Sequence, residues 1–250
     1  MINSKNTNTI ILSAGRGSRL RYKTNFIAKP LVKIQKKIIL ETNLKYLSSI
    51  GIKNCVINSS YKYKTIKKFI NNYSYKNKLP HIISTYEKTR LETGGGIKNA
   101  LAFFDSKYIL AINGDSLLIK RNNICPVTNL LKCFNPNEMD ILLLLCPKKN
   151  CVGHHGKGDF SKHSKNPASL IKRNVSLNNN ALVFTGWQII KKSLIKETSL
   201  KKFSLNILFD KAERENKLYG TILNGNFLHV STLKSIVLIE KFLNKFNRKI

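Results

Sequence analysis

The chain has 250 residues and a formal net charge of +31, from 44 Lys and Arg against 13 Asp and Glu. Its length suffices for one large domain, and it has neither a run of about 18 apolar residues nor an apolar N-terminal leader, so we expect a cytoplasmic protein without a membrane partner. The lysines are spread along the chain without a recognised nucleic-acid motif, which favours a solvated basic surface that attracts anionic substrates over a nucleic-acid partner.

In the first half of the chain, short apolar runs alternate with helical patterns. The predicted strands cover residues 10–14, 55–58, 82–86 and 108–113, and the predicted helices cover 39–50, 65–70 and 95–104. Gly51 stands where the first of these helices should stop. Repeated strand–helix–strand units predict an α/β fold with a mostly parallel central sheet flanked by helices on both faces. Ligands of such sheets bind beyond the carboxyl ends of the strands.

In the second half, a buried strand is predicted over 141–145, followed by an irregular segment, 146–164, that is rich in Gly, His and Lys. Strands over 181–184 and 218–223 and helices over 205–215 and 233–246 complete the pattern. Because there is no internal repeat and no linker, we expect a single domain over 1–250. The five cysteines are scattered and never form C-x-x-C, so we interpret them as reduced structural thiols and predict neither a disulfide framework nor a zinc site.

The first predicted strand runs into Gly15-Arg16-Gly17-Ser18-Arg19, and Lys29-Pro30 follows ten residues after Arg19. Small residues let a phosphate chain approach the backbone, and a guanidinium group binds phosphate oxygens in pairs. The third glycine of a dinucleotide fingerprint would fall at Leu20, and no G-x-x-x-x-G-K-[ST] occurs, which excludes both of those motifs. The loop therefore predicts a binding site for a nucleoside triphosphate.

Three other segments combine glycine with chemically useful groups. Asn113-Gly114-Asp115 ends a strand with a carboxylate; we favour a Mg²⁺ ligand over a simple cap, because the phosphate loop lies in the same sheet. Gly94-Gly95-Gly96 precedes a predicted helix, so backbone amides and the positive helix end should face a ligand, unless the glycines only form a loop with positive φ. For His154-His155 a loop that contacts substrate is favoured over a zinc site.

Together these segments resemble the sugar-1-phosphate nucleotidylyltransferase superfamily, and within it the branch of N-acetylmuramate 1-phosphate uridylyltransferases. The resemblance covers essentially the whole chain, and residues 91–97 and 153–160 carry the assignment to that branch. It implies a Rossmann-like fold of the glycosyltransferase-A type, in which residues 1–146 bind the nucleotide and residues 147–250 bind the sugar phosphate and end in a helix. It also implies an enzyme of peptidoglycan sugar recycling that converts UTP and a sugar 1-phosphate to a UDP-sugar and pyrophosphate.

The same resemblance implies roles for individual residues and a divalent cofactor, Mg²⁺ or alternatively Mn²⁺. The catalytic residues are Arg19, Lys29 and Asp115. The nucleotide-binding residues are Ala14, Gly15, Gly17, Arg19, Gly94 and Gly95. The sugar-binding residues are Asn113, His155, Asp159 and Gly186. The metal ligands are Asp115 and His229.

The metal end departs from the family pattern, because His229 stands where a second metal-binding Asp is expected and Ser231 replaces a Gly. Imidazole suits Mn²⁺ or Zn²⁺ better than Mg²⁺, so either the metal preference shifts or Asp115 and the phosphates hold the ion between them. Two alternative functions stay open: a guanylyltransferase acting on mannose 1-phosphate or heptose 1-phosphate, and a nucleotide-sugar-binding homologue with weakened catalysis. A monomer and a small homo-oligomer are both compatible with the sequence.

Overall fold

The computed structural model describes residues 4, 7–77, 79–122, 124–162, 164, 166–173 and 181–246. Most of the N-terminal stretch 1–6 and residue 163 of the predicted irregular segment lie outside this described part. The strands are β1 (Asn8–Leu12), β2 (Lys33–Ile34), β3 (Lys37–Ile38), β4 (Asn54–Ser59), β5 (His81–Tyr86), β6 (Tyr108–Asn113), β7 (Ser116–Lys120), β8 (Ile141–Pro147), β9 (Cys151–Val152), β10 (Phe160–Lys162), β11 (Ala168–Arg173), β12 (Leu182–Lys191), β13 (Leu218–Ile222) and β14 (Gly225–His229). The helices are α1 (Ile39–Ser49), α2 (Tyr63–Lys76), α3 (Glu92–Asn99), α4 (Pro126–Cys133), α5 (Lys192–Lys196), α6 (Asn206–Arg214) and α7 (Leu233–Lys245).

The strands form a large central sheet in the order β10-β11-β13-β8-β12-β6-β1-β4-β5. Strands β6, β1, β4 and β5 are mutually parallel, and β8 and β13 are parallel to each other. Strands β11 and β12 run against their neighbours. The predicted mostly parallel sheet is therefore confirmed, and the carboxyl ends of β1, β4, β5 and β6 meet at one edge.

Helices cover both faces of this sheet, as predicted. Ile10 and Ile11 of β1 are both fully buried, but they belong to different core clusters because successive strand residues point to opposite faces. Helices α1, α2 and α4 pack on the Ile11 side, and α3, α5 and α6 pack on the Ile10 side. Gly51, with a φ of +84°, follows the end of α1 at the predicted position. Within the described part, no helix combines the length and the apolar composition needed to cross a membrane.

A smaller sheet, β7-β14-β9, packs beside the large one and carries part of the site. Strand β14 is antiparallel to β7, with His229 opposite Ser116, and parallel to β9. Helix α7 packs on this sheet through Ile236, Ile239 and Leu243. Its first turn is held by a reciprocal capping box between Thr232 and Ser235.

Several predicted boundaries are wrong. Strand β1 starts and ends two residues before the predicted 10–14, so Ser13 and Ala14 belong to the loop that follows. Helix α3 begins at Glu92 and ends at Asn99, instead of running from Gly95 to Phe104. The segment 146–164 contains the short strands β9 and β10, and the strand predicted over 181–184 extends to Lys191 as β12. The division of the chain at residue 146 stays a prediction.

Candidate active site

The predicted phosphate loop runs from Ser13 to Gly17, between β1 and a 3-10 segment over Ser18–Thr24. Gly17 has a φ of +68°, and a Cβ added there would lie 2.8 Å from the Cβ of Lys29. A Cβ added to Gly15 would have no described atom within 4 Å. A glycine is therefore needed at position 17 because of the positive φ and because Lys29 packs against it, whereas Gly15 leaves open space in front of the loop.

This loop is fixed by a buried chain of hydrogen bonds that the sequence analysis did not identify. The Ser13 amide donates to Asn58 Oδ1 at 2.7 Å, and Asn58 Nδ2 donates to Glu87 Oε1 at 2.7 Å. The second carboxylate oxygen, Glu87 Oε2, accepts the Leu91 amide at 2.9 Å. Asn58 and Glu87 are both almost completely buried. One carboxylate therefore ties the ends of β1, β4 and β5 to the start of α3.

The glycine-rich segment lies inside α3 rather than before it. The amides of Gly94 and Gly95 both donate to the carbonyl oxygen of Phe203, at 2.9 and 3.1 Å, so the prediction that these amides face a ligand is wrong. A Cβ at Gly94 would clash with the Phe203 ring, and a Cβ at Gly96 would lie 2.5 Å from Asn58 Nδ2. Because glycine has no Cβ, α3 can pack closely against Phe203 and Asn58.

Asp115 lies in the turn between β6 and β7, where it forms an ion pair with Lys29. The Gly114 amide donates to the Leu12 carbonyl at 3.0 Å, which holds this turn against the end of β1. Burial alone would raise the pKa of Asp115, but the charge of Lys29 and the hydrogen bond that Lys29 donates outweigh it and hold that pKa below its ordinary value. Asp115 is therefore an ionised carboxylate beside the phosphate loop.

His229 approaches the same carboxylate from β14. Its Nε2 lies 3.8 Å from Asp115 Oδ2, and the Val230 amide donates to the Asp115 carbonyl at 3.1 Å. Burial lowers the pKa of His229, because it outweighs the opposing charge of Asp115, so the imidazole is neutral at neutral pH. Its Nδ1 is buried without a hydrogen-bond partner in the described part of the chain. Among those residues no third His, Cys, Asp or Glu side chain joins Asp115 and His229 in a ligand cluster.

The histidine-rich segment packs around His154. A Cβ at Gly153, which has a φ of +79°, would lie 2.7 Å from the His229 carbonyl oxygen. A Cβ at Gly156 would lie 2.6 Å from His154 Nε2, and the rings of His154 and His229 are 5.7 Å apart between centroids. The glycines thus let His154 pack beside His229, whereas His155 is exposed to solvent.

Two other predicted sugar-binding residues are associated with β12: Gly186 is part of this strand, and Asp159 accepts a hydrogen bond from it. Asp159 Oδ2 accepts the Phe184 amide at 2.8 Å, near the start of that strand. Gly186 has a φ of +81°, and a Cβ there would lie 2.8 Å from the Cβ of Asn113. Gly186 therefore packs against Asn113 at the carboxyl end of β6, while the sugar contacts themselves stay predictions.

A cavity of about 530 Å³ opens at the carboxyl edge of the parallel strands. The predicted residues that line it are Ala14, Gly15, Gly17, Arg19, Lys29, Asn113 and Asp115. The structure adds the lining residues Arg16, Asn58, Arg90, Glu92, Thr93, Ser204 and Ser231. The predicted residues that lie outside this lining are Gly94, Gly95, His155, Asp159, Gly186 and His229. Because the arginines and lysine outnumber the carboxylates, the cavity favours an anionic ligand.

The sequence profile of the family described as "Nucleotidyl transferase" matches residues 8–151, more than half of the chain. The chain belongs to the nucleotidyl transferase family. The matched range contains the phosphate loop, Lys29 and Asp115, all of which line the cavity. The family match therefore covers the part of the cavity in which the phosphate loop, Lys29 and Asp115 lie together.

Two relatives show what this nucleotidyl transferase is similar to. N-acetylmuramate alpha-1-phosphate uridylyltransferase of Caulobacter vibrioides is 27% identical over 222 residues, which are 88% of this chain and 90% of the relative. D-glycero-alpha-D-manno-heptose 1-phosphate guanylyltransferase of Campylobacter jejuni is 33% identical over 149 residues, which are 54% of this chain and 65% of the relative.

The crystal structure of HddC from Yersinia pseudotuberculosis complexed with GMP-PN has the same fold. It superposes with a TM-score of 0.72 at 21% identity, covering 94% of this chain and 99% of that one. The predicted Rossmann-like nucleotidyltransferase fold is confirmed by this likeness.

Asn58 and Glu87 could have been found from the sequence. Asn58 ends a predicted strand and Glu87 directly follows another, so both stand at the strand edge where ligands of parallel sheets bind. The same rule had selected Asp115, but neither residue lies beside a glycine motif. A search for polar side chains at every strand end would have included them.

Proposed function

We propose that this nucleotidyl transferase moves a nucleotidyl group from a nucleoside triphosphate to a sugar 1-phosphate and releases pyrophosphate. The observation that carries the proposal is that the phosphate loop, Arg19 and the Lys29–Asp115 pair line one cavity. Such a cavity offers cations and open backbone to a phosphate chain beside an ionised carboxylate. The relatives that match this chain are named for the same class of reaction.

The reaction requires little covalent chemistry from the protein. The attacking oxygen of a sugar 1-phosphate is already anionic, so no general base is needed, and the rate depends on in-line positioning and charge neutralisation. We assign Arg19 to the triphosphate and Lys29 to the oxygens of the reacting phosphates. The space in front of Gly15 lets the phosphate chain approach the loop.

The residues present fit a divalent cation. Asp115 would supply an ionised oxygen and neutral His229 would supply Nε2, with substrate phosphates and water completing the coordination. When bound, Mg²⁺ or Mn²⁺ would supply charge neutralisation at the phosphates. An imidazole in the donor set makes Mn²⁺ a better match here than it would be for two carboxylates.

For the finer specificity, we propose UTP as donor and N-acetylmuramate 1-phosphate as acceptor, in the recycling of cell-wall sugars. The Caulobacter vibrioides relative supports this choice because it matches nearly the whole chain. The second candidate is a guanylyltransferase for heptose 1-phosphate or mannose 1-phosphate. The Campylobacter jejuni relative favours it, with higher identity over a shorter range.

Pyrophosphate release from a matrix of substrates tests these proposals. The purified protein would be incubated with UTP, GTP, CTP or dTTP and a panel of sugar 1-phosphates, in Mg²⁺ and in Mn²⁺. We expect the highest kcat/KM for UTP with N-acetylmuramate 1-phosphate. A higher value for GTP with heptose 1-phosphate or mannose 1-phosphate would replace the first candidate by the second.

A third outcome would change the class of the protein. Nucleotide binding without pyrophosphate release in any combination would indicate a nucleotide-sugar-binding homologue with weakened catalysis. His229 and Ser231, which depart from the family pattern, motivate this alternative. Turnover with any pair of substrates would eliminate it.

A further inference from the structure

A second cavity, of about 670 Å³, lies between α1 and β7, on residues that the proposed reaction does not use. Asn43 lines it and is only 2% exposed, and its Nδ2 has no hydrogen-bond partner in the described part of the chain. A buried donor without an acceptor is costly, and a ligand with an acceptor oxygen would satisfy it. The charged residues of the lining are Lys37, Lys45, Lys120 and Glu41. Their balance favours an anionic ligand.

Cys125 lines the same cavity and is the N-cap residue of α4. Its Sγ lies 3.2 Å from the Tyr46 hydroxyl. The N-terminal end of a helix stabilises negative charge, and a thiolate placed there is more nucleophilic than an ordinary thiol at neutral pH. Burial opposes ionisation, but hydrogen bonds from Thr128 and Tyr46 outweigh it and lower the pKa of Cys125.

The other four cysteines, all within the described part, lack this combination. Cys133 is half-buried like Cys125, but it ends the same helix and so lies at the negative end of the helix dipole. Burial raises the pKa of Cys55, and a hydrogen bond to Cys146 together with burial raises that of Cys151. Cys146 is itself fully buried.

We propose that Cys125 is a thiol-modification site that takes a low-molecular-weight disulfide carrying carboxylate groups. The Cys125 thiolate attacks one sulfur of the disulfide, and a new S–S bond forms as the old one breaks. The other half leaves as a thiolate and takes a proton from solvent, so Cys125 is oxidised and the departing sulfur is reduced. Lysines of the lining meet the carboxylates, and the free Asn43 amide hydrogen offers a donor. The adduct would lie against β7, the strand that directly follows Asp115.

Adduct formation can be followed at each cysteine in the native, folded protein. The chain would be incubated with oxidised glutathione, which is anionic, or with cystamine, which is cationic, then acid-quenched and quantified by peptide mass spectrometry. We expect Cys125 to react at least about tenfold faster than Cys133. With rates normalised to those of the denatured chain, oxidised glutathione should react with Cys125 faster than cystamine does. Equal rates at the two cysteines, or a preference for cystamine, would overturn the proposal.

A variant pair separates the cavity from general reactivity. Tyr46→Phe removes the hydroxyl that contacts Cys125 Sγ, so it should slow the reaction of Cys125 severalfold and leave Cys133 unchanged. Tyr75→Phe, at a tyrosine that is 91% exposed, serves as the matched control and should change neither rate. An unchanged Cys125 rate in folded Tyr46→Phe would contradict the assigned contact, and the wild-type comparison decides the proposal if that variant does not fold.

Discussion

Replacing Glu87 by Gln tests whether one buried carboxylate holds the phosphate loop. Glu87 accepts hydrogen bonds from Asn58 Nδ2 at 2.7 Å and from the Leu91 amide at 2.9 Å. Asn58 Oδ1 in turn accepts the Ser13 amide at 2.7 Å, so Glu87 holds the loop through Asn58. Gln has nearly the same volume, but it offers a single acceptor oxygen. Its amide nitrogen would therefore face one of the two donors.

The magnitude follows from the two bonds that Glu87 makes. A buried donor left without a partner costs about 1–3 kcal/mol, and the remaining hydrogen bond loses its charged acceptor. We expect Glu87→Gln to lower the free energy of unfolding by about 2–4 kcal/mol in total. The KM for the nucleoside triphosphate should rise more than kcat falls, because Ser13 begins the loop that we propose binds the triphosphate.

Urea unfolding measures the stability change, with the fluorescence of Trp187 as reporter because it is the only tryptophan and is fully buried. Glu41→Gln is the control: Glu41 is only partly buried and pairs with the exposed Lys45 at 2.6 Å, so its loss should cost about 0.5 kcal/mol or less. If the two variants unfold at the same urea concentration, the assigned role of Glu87 is refuted.

Three further predictions concern the phosphate loop, the Lys29–Asp115 pair and His229. Gly17→Ala should lower the free energy of unfolding by about 1–2 kcal/mol, because φ is +68° and the added methyl group meets Lys29. Gly15→Ala should lower it by about 0.5 kcal/mol or less, because the added methyl group meets open space. Equal losses of unfolding free energy for the two variants, measured by urea unfolding, would contradict this geometry. Lys29→Ala and Asp115→Ala should each slow pyrophosphate release at least about 100-fold with unchanged circular dichroism, and near-normal release would reject their roles. Burial lowers the pKa of His229 from 6.5, so the unfolded chain binds more protons just below that pH and stability falls on acidification. The decrease is at most about 1.4 kcal/mol per pH unit, and urea midpoints at pH 7.5 and 5.5 should differ less in His229→Asn than in the wild type.

The parallel part of the sheet was predictable because each of its strands contains a short apolar run, and most residues of β1, β4 and β6 are buried. Strand β6 matches its prediction at both ends, and β4 and β5 extend theirs by only one or two residues. Strand β7 was missed because only two residues separate it from β6, at a point where a parallel strand normally leads into a helix. Strands β9 and β10 have two and three residues, which is too short for a period-2 pattern to be recognised.

The candidate site was predictable where a side chain and its motif are adjacent in sequence. Gly17 and Lys29 are an example, since the loop and the lysine lie close together both in the chain and in space. The role of Gly94–Gly96 was misread because the Phe203 carbonyl that binds two of their amides is more than 100 residues away. No local pattern reports such a contact, so a glycine run at a helix start is compatible with ligand binding and with packing.

A histidine at position 229, in place of a second carboxylate, changes the charge balance around Asp115, where we propose that a divalent cation binds. Two carboxylates within about 4 Å repel each other, and one of them is protonated unless a cation lies between them. Here Asp115 faces the Lys29 ammonium and a neutral imidazole, so it is ionised by protein contacts alone. The protein therefore balances the charge of Asp115 itself, and the guanidinium groups that line the cavity are left to attract the triphosphate. On this reasoning, triphosphate binding should depend less on a divalent cation in the wild type than in a His229→Asp variant.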